Sequence, residues 1–165
     1  MADPIKTIAV LVANPALSSI LSMTLAGSSA LRVRPFDSQL ALFTYLHLAP
    51  ADLVVADFDN FASPADRLAE DIRHDSAIAS RGVQIIALAS SLTPESKMAS
   101  IHAGIDEIIM KAMSPKYLVE RVLARVAKKR LPAQPERRAT LSRKDWARFG
   151  DNVIPLFRRE AEVQL

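Results

Sequence analysis

The residues of this chain that could do chemistry sit at the carboxyl ends of apolar, β-branched runs. Ala13 and Asn14 close TIAVLVA (7–13), Asp57 and Asp59 follow DLVVA (52–56), Ser90 follows VQIIALA (83–89), and Lys111 follows DEIIM (106–110). An aspartate in such a place can act as a nucleophile, or it can do no more than cap a helix or shape a turn. A lysine that faces it can neutralise a transferred anion, or lock the two loops together through a charge-assisted hydrogen bond. Other chemistries are not expected. The chain has no cysteine, which removes disulfides, thiolate zinc sites and cysteine nucleophiles and makes a reducing cytoplasm the expected compartment. His47, His74 and His102 never fall at the spacing that puts two metal ligands on one helical face, and His74 and His102 read as surface helix positions. Gly-rich phosphate loops and G-x-S-x-G are absent from a chain with only four glycines, so a free-standing metabolic enzyme is not expected either.

The elements that would position these residues follow from periodicity. With 165 residues, the chain can build one ordinary domain and a short appendage. Residues 7–13 read as a central strand buried on both faces. Asn14 offers a helix cap and Pro15 a first-turn residue, and the apolar spacing of Leu17, Ile20, Leu21 and Leu25 carries a helix to Gly27. The cycle repeats. LRVRPF (31–36) alternates like an edge strand and leads to a helix over 38–48, and 52–56 leads to a helix that Ser63 and Pro64 look set to start. Strand 83–89 leads to a helix capped by Thr93, begun by Pro94 and closed by Gly104, and strand 106–110 leads to a long helix, about 115–130, opened by Ser114 and Pro115. Five such units in series imply an α/β, doubly wound parallel sheet with helices on both faces, in a domain over residues 1–130.

The remainder, 131–165, has a different texture. Residues 1–127 carry 11 basic and 13 acidic side chains and residues 128–165 carry 10 and 5, so the basic character belongs to the extension. Residues 131–139 read as a linker, and 141–149 and 153–161 as one or two short amphipathic helices around Leu141, Trp146, Phe149, Ile154, Leu156 and Phe157. Neither a secretion leader nor a membrane-spanning run is expected, because Asn14 and Pro15 interrupt the first apolar stretch and no run of about 18 apolar residues follows.

On two segments the chain resembles the receiver domain of two-component response regulators, a CheY-like domain, in an atypical, degenerate form. These are DLVVADFDN (52–60), with Asp57 at the strand end where receivers are phosphorylated, and AGIDEIIMKAMSPKYL (103–118), with Lys111 after the fifth strand. The resemblance covers residues 6 to about 127 and implies a flavodoxin-like five-stranded sheet of order 2-1-3-4-5. It makes Asp57 the candidate phosphoacceptor, Lys111 the partner of the phosphoryl group or of Asp57, and Ser90 the substitute for a hydroxyl that is missing at Ala89. It also implies Mg²⁺, weakly held here by Asp57, Asn14 and Asp59, because the acidic pair after the first strand is replaced by Ala13 and Asn14. The switch aromatic is Ile108 and the proline after the lysine is Ala112, so the coupled switch of the family is not expected in its usual form.

The function implied is that of an atypical single-domain response regulator in a phosphorelay, met by a sensor histidine kinase or a phosphotransfer protein and acting by protein–protein contact. A homodimer is implied through the surface of the fourth helix, fifth strand and fifth helix, or through the first and fifth helices. In helix 115–130, Leu118, Val119, Val122, Leu123 and Val126 would form the buried stripe, leaving Tyr117, Glu120, Arg121 and Arg125 to a partner. A phosphorylation-independent adaptor is the neighbouring reading. Nucleic-acid binding is a third, prompted by KKR at 128–130, RR at 137–138, RK at 143–144 and RR at 158–159, although no helix-turn-helix is evident.

Overall fold

In the computed structural model, which describes residues 4–128 and the backbone of residues 153–155, strands and helices alternate. They are β1 (Lys6–Leu11), α1 (Pro15–Ala26), β2 (Leu31–Phe36), α2 (Gln39–Leu48), β3 (Leu53–Asp57), α3 (Ala65–His74), β4 (Gln84–Ala89), α4 (Pro94–Ala103), β5 (Glu107–Met110) and α5 (Pro115–Val126), followed by β6 (Val153–Pro155). The sheet order is β2-β1-β3-β4-β5-β6, with the first five strands parallel and β6 antiparallel to β5. The order 2-1-3-4-5 is therefore present, with one strand more than expected at its edge.

The period of two along each strand sorts the apolar residues into two layers. Ile8, Val10, Leu53, Val55, Ile86, Leu88 and Ile109 pack under Leu21 and Leu25 of α1 and Leu118 and Val122 of α5. Ala9, Val54, Ala56, Ile85, Ala87 and Ile108 pack under Leu42 and Leu46 of α2, Leu68 and Ile72 of α3, and Ala103 of α4. Each fully buried Val, Leu or Ile contributes roughly 1.5–3 kcal/mol, so burial in these layers holds the strand ends in place. No helix among the described residues is long and apolar enough to cross a membrane.

Helix starts follow the caps read from the sequence, with one exception. Asn14 accepts from the amides of Ala16 and Leu17, Thr93 and Ser96 form a reciprocal capping box, and Ser114 accepts from Tyr117. Helix α3 differs: it begins at Ala65, and Pro64 takes the cap position with extended backbone and no side-chain hydrogen bond. Ser63 is thereby one residue too early to cap, and its hydroxyl donates instead to Gln39 of α2. At its far end α4 closes on Gly104 in the left-handed conformation at φ 82°, as a helix stop requires.

The long fifth helix ends at Val126, short of 130. Its apolar stripe packs on the sheet as expected, but two of the four residues assigned to its outer face do not lie there. Arg121 and Arg125 turn inward onto Glu107, which is fully buried in β5: Arg121 Nε and Nη2 donate to Glu107 Oε1 and Oε2 at 2.6 and 3.0 Å, and Arg125 Nε donates to Oε2. A carboxylate inside a sheet must be paired, and α5 supplies the charge from two positions one turn apart. Tyr117 is half-buried, and Glu120 alone of the four is exposed. A second correction concerns the extension: residues 153–155 form a strand where a short helix over 153–161 was expected, because Val-Ile-Pro has the β-branched character that suits an edge pairing. The other expected helix, 141–149, and most of the basic clusters lie outside the described residues; Lys128 is exposed at the end of the described chain.

Candidate functional site

The carboxyl ends of β1, β3, β4 and β5 converge on one small cluster. Asp57, the last residue of β3, is 1 % exposed. Its Oδ2 accepts from the Ala13 amide at 3.3 Å, and its Oδ1 accepts from the Asp59 amide at 2.9 Å. The Lys111 ammonium lies 2.7 Å from Asp57 Oδ1. Its backbone is set by the bond from the Lys111 amide to the Ala89 carbonyl, 2.8 Å, which ties the end of β5 to the end of β4.

Asp59 is the second anchor. Its Oδ2 is 2.7 Å from Lys111 Nζ and accepts from the Ser90 hydroxyl at 2.6 Å and the Ser90 amide at 3.1 Å. Lys111 thus bridges two carboxylates, and Ser90 holds the outer one in place. Burial alone would raise the Asp59 carboxyl pKa, but the hydrogen bonds from Lys111 and Ser90 outweigh it and hold it below its ordinary value. Burial likewise opposes the charge on Lys111, and the bonds to Asp57 and Asp59 outweigh it, so its pKa stands above the ordinary value. The lysine is a fixed cation in this pocket.

The structure brings Asp57, Asp59, Ser90 and Lys111 together. The Asn14 side-chain oxygen accepts from the first-turn amides of α1 at 2.9 and 3.1 Å, so it caps that helix. Ser90 meets Asp59, and its hydroxyl hydrogen is committed there. Ala89, at the position where receivers carry the hydroxyl, is buried at 1 % exposure, and Ile108, at the switch position, is wholly buried among the core residues.

This donor set could hold Mg²⁺ only weakly, since it supplies two carboxylates that already share Lys111. The ion takes oxygen ligands in a nearly ideal octahedron and is usually held by one or two carboxylates with water and phosphate. Here one oxygen of Asp57 and one of Asp59 face the same ammonium, and no group of three His, Asp or Glu side chains able to hold a metal exists among the described residues. A depression of about 510 Å³ opens between the β1–α1 and β2–α2 loops, lined in part by Ala13, Ser18, Pro35, Phe36 and Asp37, and it meets this cluster only at Ala13.

The resemblance puts the Asp59 side chain in the pocket as a weak metal ligand, but nothing local in the sequence indicates Ser90 as its partner. That tie depends on how two loops meet and has no local signal. The Glu107 cluster did carry one: a glutamate inside an otherwise apolar strand requires partners, and the arginines at 121 and 125 share one face of the next helix. Arg73 is a second such case. It donates to the carbonyls of Val83 (2.7 Å) and Gly104 (2.8 Å) and to Asp106 Oδ2 (3.2 Å), fastening α3 to the start of β4 and the approach to β5.

No protein-family model matches the chain, and no curated protein matches it. Solved structures do. A CheY-like response regulator receiver domain protein from Methanospirillum hungatei JF-1 superposes with a TM-score of 0.68 at 18 % identity, over 76 % of this chain and 96 % of that one. The Vibrio cholerae chemotaxis protein CheY4 gives 0.66 at 15 %, over 73 % and 98 %, and a response regulator from Thermotoga maritima gives 0.64 at 20 %, over 75 % and 99 %. At such identities the likeness is one of fold: residues of this chain adopt the receiver architecture.

Proposed function

We propose that this chain, built on the receiver fold, is an atypical response regulator of two-component signalling that works as an adaptor through protein contact, in a pocket state set by Lys111 and not by phosphorylation. The observation that carries this reading is the Lys111 ammonium seated between Asp57 and Asp59, 2.7 Å from each. Phosphoryl transfer to a carboxylate needs the developing charge neutralised by a metal and by donors aimed at the phosphoryl oxygens. One oxygen of each carboxylate that would hold the metal already faces the Lys111 cation, and the Ser90 hydroxyl that would donate is bonded to Asp59.

Contact surfaces support the adaptor role. Helix α1 has no charged residue, and Ile20 and Met23 are 52 % and 76 % exposed on it. Phe61, in the loop after Asp59, is fully exposed. That loop is held by the bonds from the Ala62 amide to Asn60 Oδ1 (3.2 Å) and from the Ser63 amide to the Asn60 carbonyl (3.1 Å), which makes Phe61 a preordered anchor for a protein partner. A sensor histidine kinase or a phosphotransfer protein is the partner class the fold suggests.

A second reading keeps Asp57 as a phosphoacceptor, favoured by its place at the carboxyl end of β3 and its bond to Lys111. One experiment separates the two. The protein is incubated with acetyl phosphate and Mg²⁺ beside an Asp57→Asn variant, and intact masses are compared. The adaptor reading expects no phosphoryl adduct on either protein. An adduct on the wild type that is absent from Asp57→Asn would establish the second.

A further inference from the structure

We propose that β6 is an intramolecular cap on the open edge of the sheet, and that its removal lets a second copy of this chain pair there through β5. The sheet has two outer strands among the five parallel ones, and they are protected differently. On β2, Arg32, Arg34 and Pro35 lie along the edge strand and blunt it, since charged side chains and a residue without an amide hydrogen both discourage further pairing. On β5 no such device exists: its residues are Glu107, Ile108, Ile109 and Met110. The one charge is already neutralised inside the subunit by Arg121 and Arg125, so it does not repel an incoming strand.

The unpaired groups of that edge can be named. The Asp106 amide donates to the Ile85 carbonyl of β4 at 2.9 Å. Backbone groups alternate sides along a strand, so Glu107 and Ile109 turn their amides and carbonyls away from β4. These two residues stand opposite Pro155 and Val153 in the β5–β6 register, with Ile108 opposite Ile154. The extension therefore covers the part of β5 that would otherwise be left open.

The cover is slight. It is three residues long, and Pro155, having no amide hydrogen, can accept from Glu107 but cannot donate to it. A pairing so short is marginal by itself and persists because β5 and β6 belong to one chain, which keeps their local concentration high. With β6 gone, β5 of a second copy can approach across a two-fold axis, which makes the pairing antiparallel, the same sense in which β5 already accepts β6. Centred on Ile108, that pairing sets Glu107 against Ile109, whose outward backbone groups can bond each other, and places no like charges opposite each other. This is independent of how Asp57 is used.

The test uses the full chain, as wild type and as the double variant Val153→Pro/Ile154→Pro, which removes the donor that faces Ile109 and lies outside the five βα units. Sedimentation velocity over a range of concentrations is read together with amide hydrogen exchange at Glu107 and Ile109. The wild type is expected to stay monomeric with both amides protected. The variant is expected to exchange them about tenfold faster or more when dilute and to shift toward dimer as concentration rises. A peptide of residues 151–157 added in excess should reverse both effects. A wild-type dimer, a variant whose two amides remain as protected as in the wild type, or a variant that loses protection yet stays monomeric at every concentration would each overturn the proposal.

Discussion

Lys111 Nζ stands 2.7 Å from Asp59 Oδ2, as close as it stands to Asp57 Oδ1. The two carboxylates differ in exposure, 41 % for the Asp59 side chain and 1 % for Asp57, and that difference orders the effects of substitution. Lys111→Met leaves a buried carboxylate without its counter-charge and should destabilise the fold by about 2–3 kcal/mol, somewhat less than a fully buried pair because the lysine is partly solvated. Asp59→Asn should cost below about 1 kcal/mol. Chemical denaturation checks both, and equal losses would contradict the ordering.

The same bridge predicts a pH profile. The Asp59 pKa lies below its ordinary 3.8 in the folded protein, so its contribution is present above that value and is lost as the pH falls through the lower, folded value. The Lys111 pKa lies above its ordinary 10.5, so its contribution is present below 10.5 and is lost as the pH rises through the higher, folded value. The difference in stability between wild type and Lys111→Met should therefore be flat from about pH 5 to 9 and shrink outside it. Denaturation midpoints measured across that range test this, and a difference that varies steadily through neutrality would contradict it.

Glu107 should tolerate little. Glu107→Gln removes the charge that Arg121 and Arg125 share and leaves two guanidinium groups pressed on a neutral amide, a loss of about 3–5 kcal/mol. Arg121→Lys keeps the charge but gives up the two-pronged bond to Oε1 and Oε2 and should cost about 1 kcal/mol. Thermal or urea unfolding of the two variants distinguishes them.

At Gly104 both conformation and space are restrictive. Its φ of 82° disfavours a side chain, and a Cβ would come within 3.0 Å of Arg73 Nε. Gly104→Ala should destabilise by about 1–2 kcal/mol. It should also loosen the Arg73 contact to the Gly104 carbonyl, visible as faster exchange of the Ile85 and Asp106 amides.

Much of this was legible in the chain because each βα unit carries its own punctuation: an apolar run, then a cap and usually a proline. LRVRPF and Thr93-Pro94 through Gly104 are framed entirely by local residues, and they stand where the pattern put them. The convergence of Asp57 and Lys111 was legible too, since parallel strands place all their carboxyl ends on one rim. The rest depends on tertiary pairing. Ser63 looked like a cap but is drawn off by Gln39, Arg121 and Arg125 looked solvated but answer a buried charge on β5, and the short run at 153–155 reads as part of a helix, whereas the open edge of β5 receives it as a strand.

The central claim is that Lys111 fills the pocket in place of a metal-assisted phosphoryl group. The most direct measurement is a two-dimensional amide NMR titration of the full chain with Mg²⁺ and beryllofluoride, a mimic of a phosphorylated aspartate. The resonances of Ala13, Asp59, Ser90 and Lys111 should stay where they are through the titration. Saturable shifts at those four amides, lost in Asp57→Asn, would contradict it.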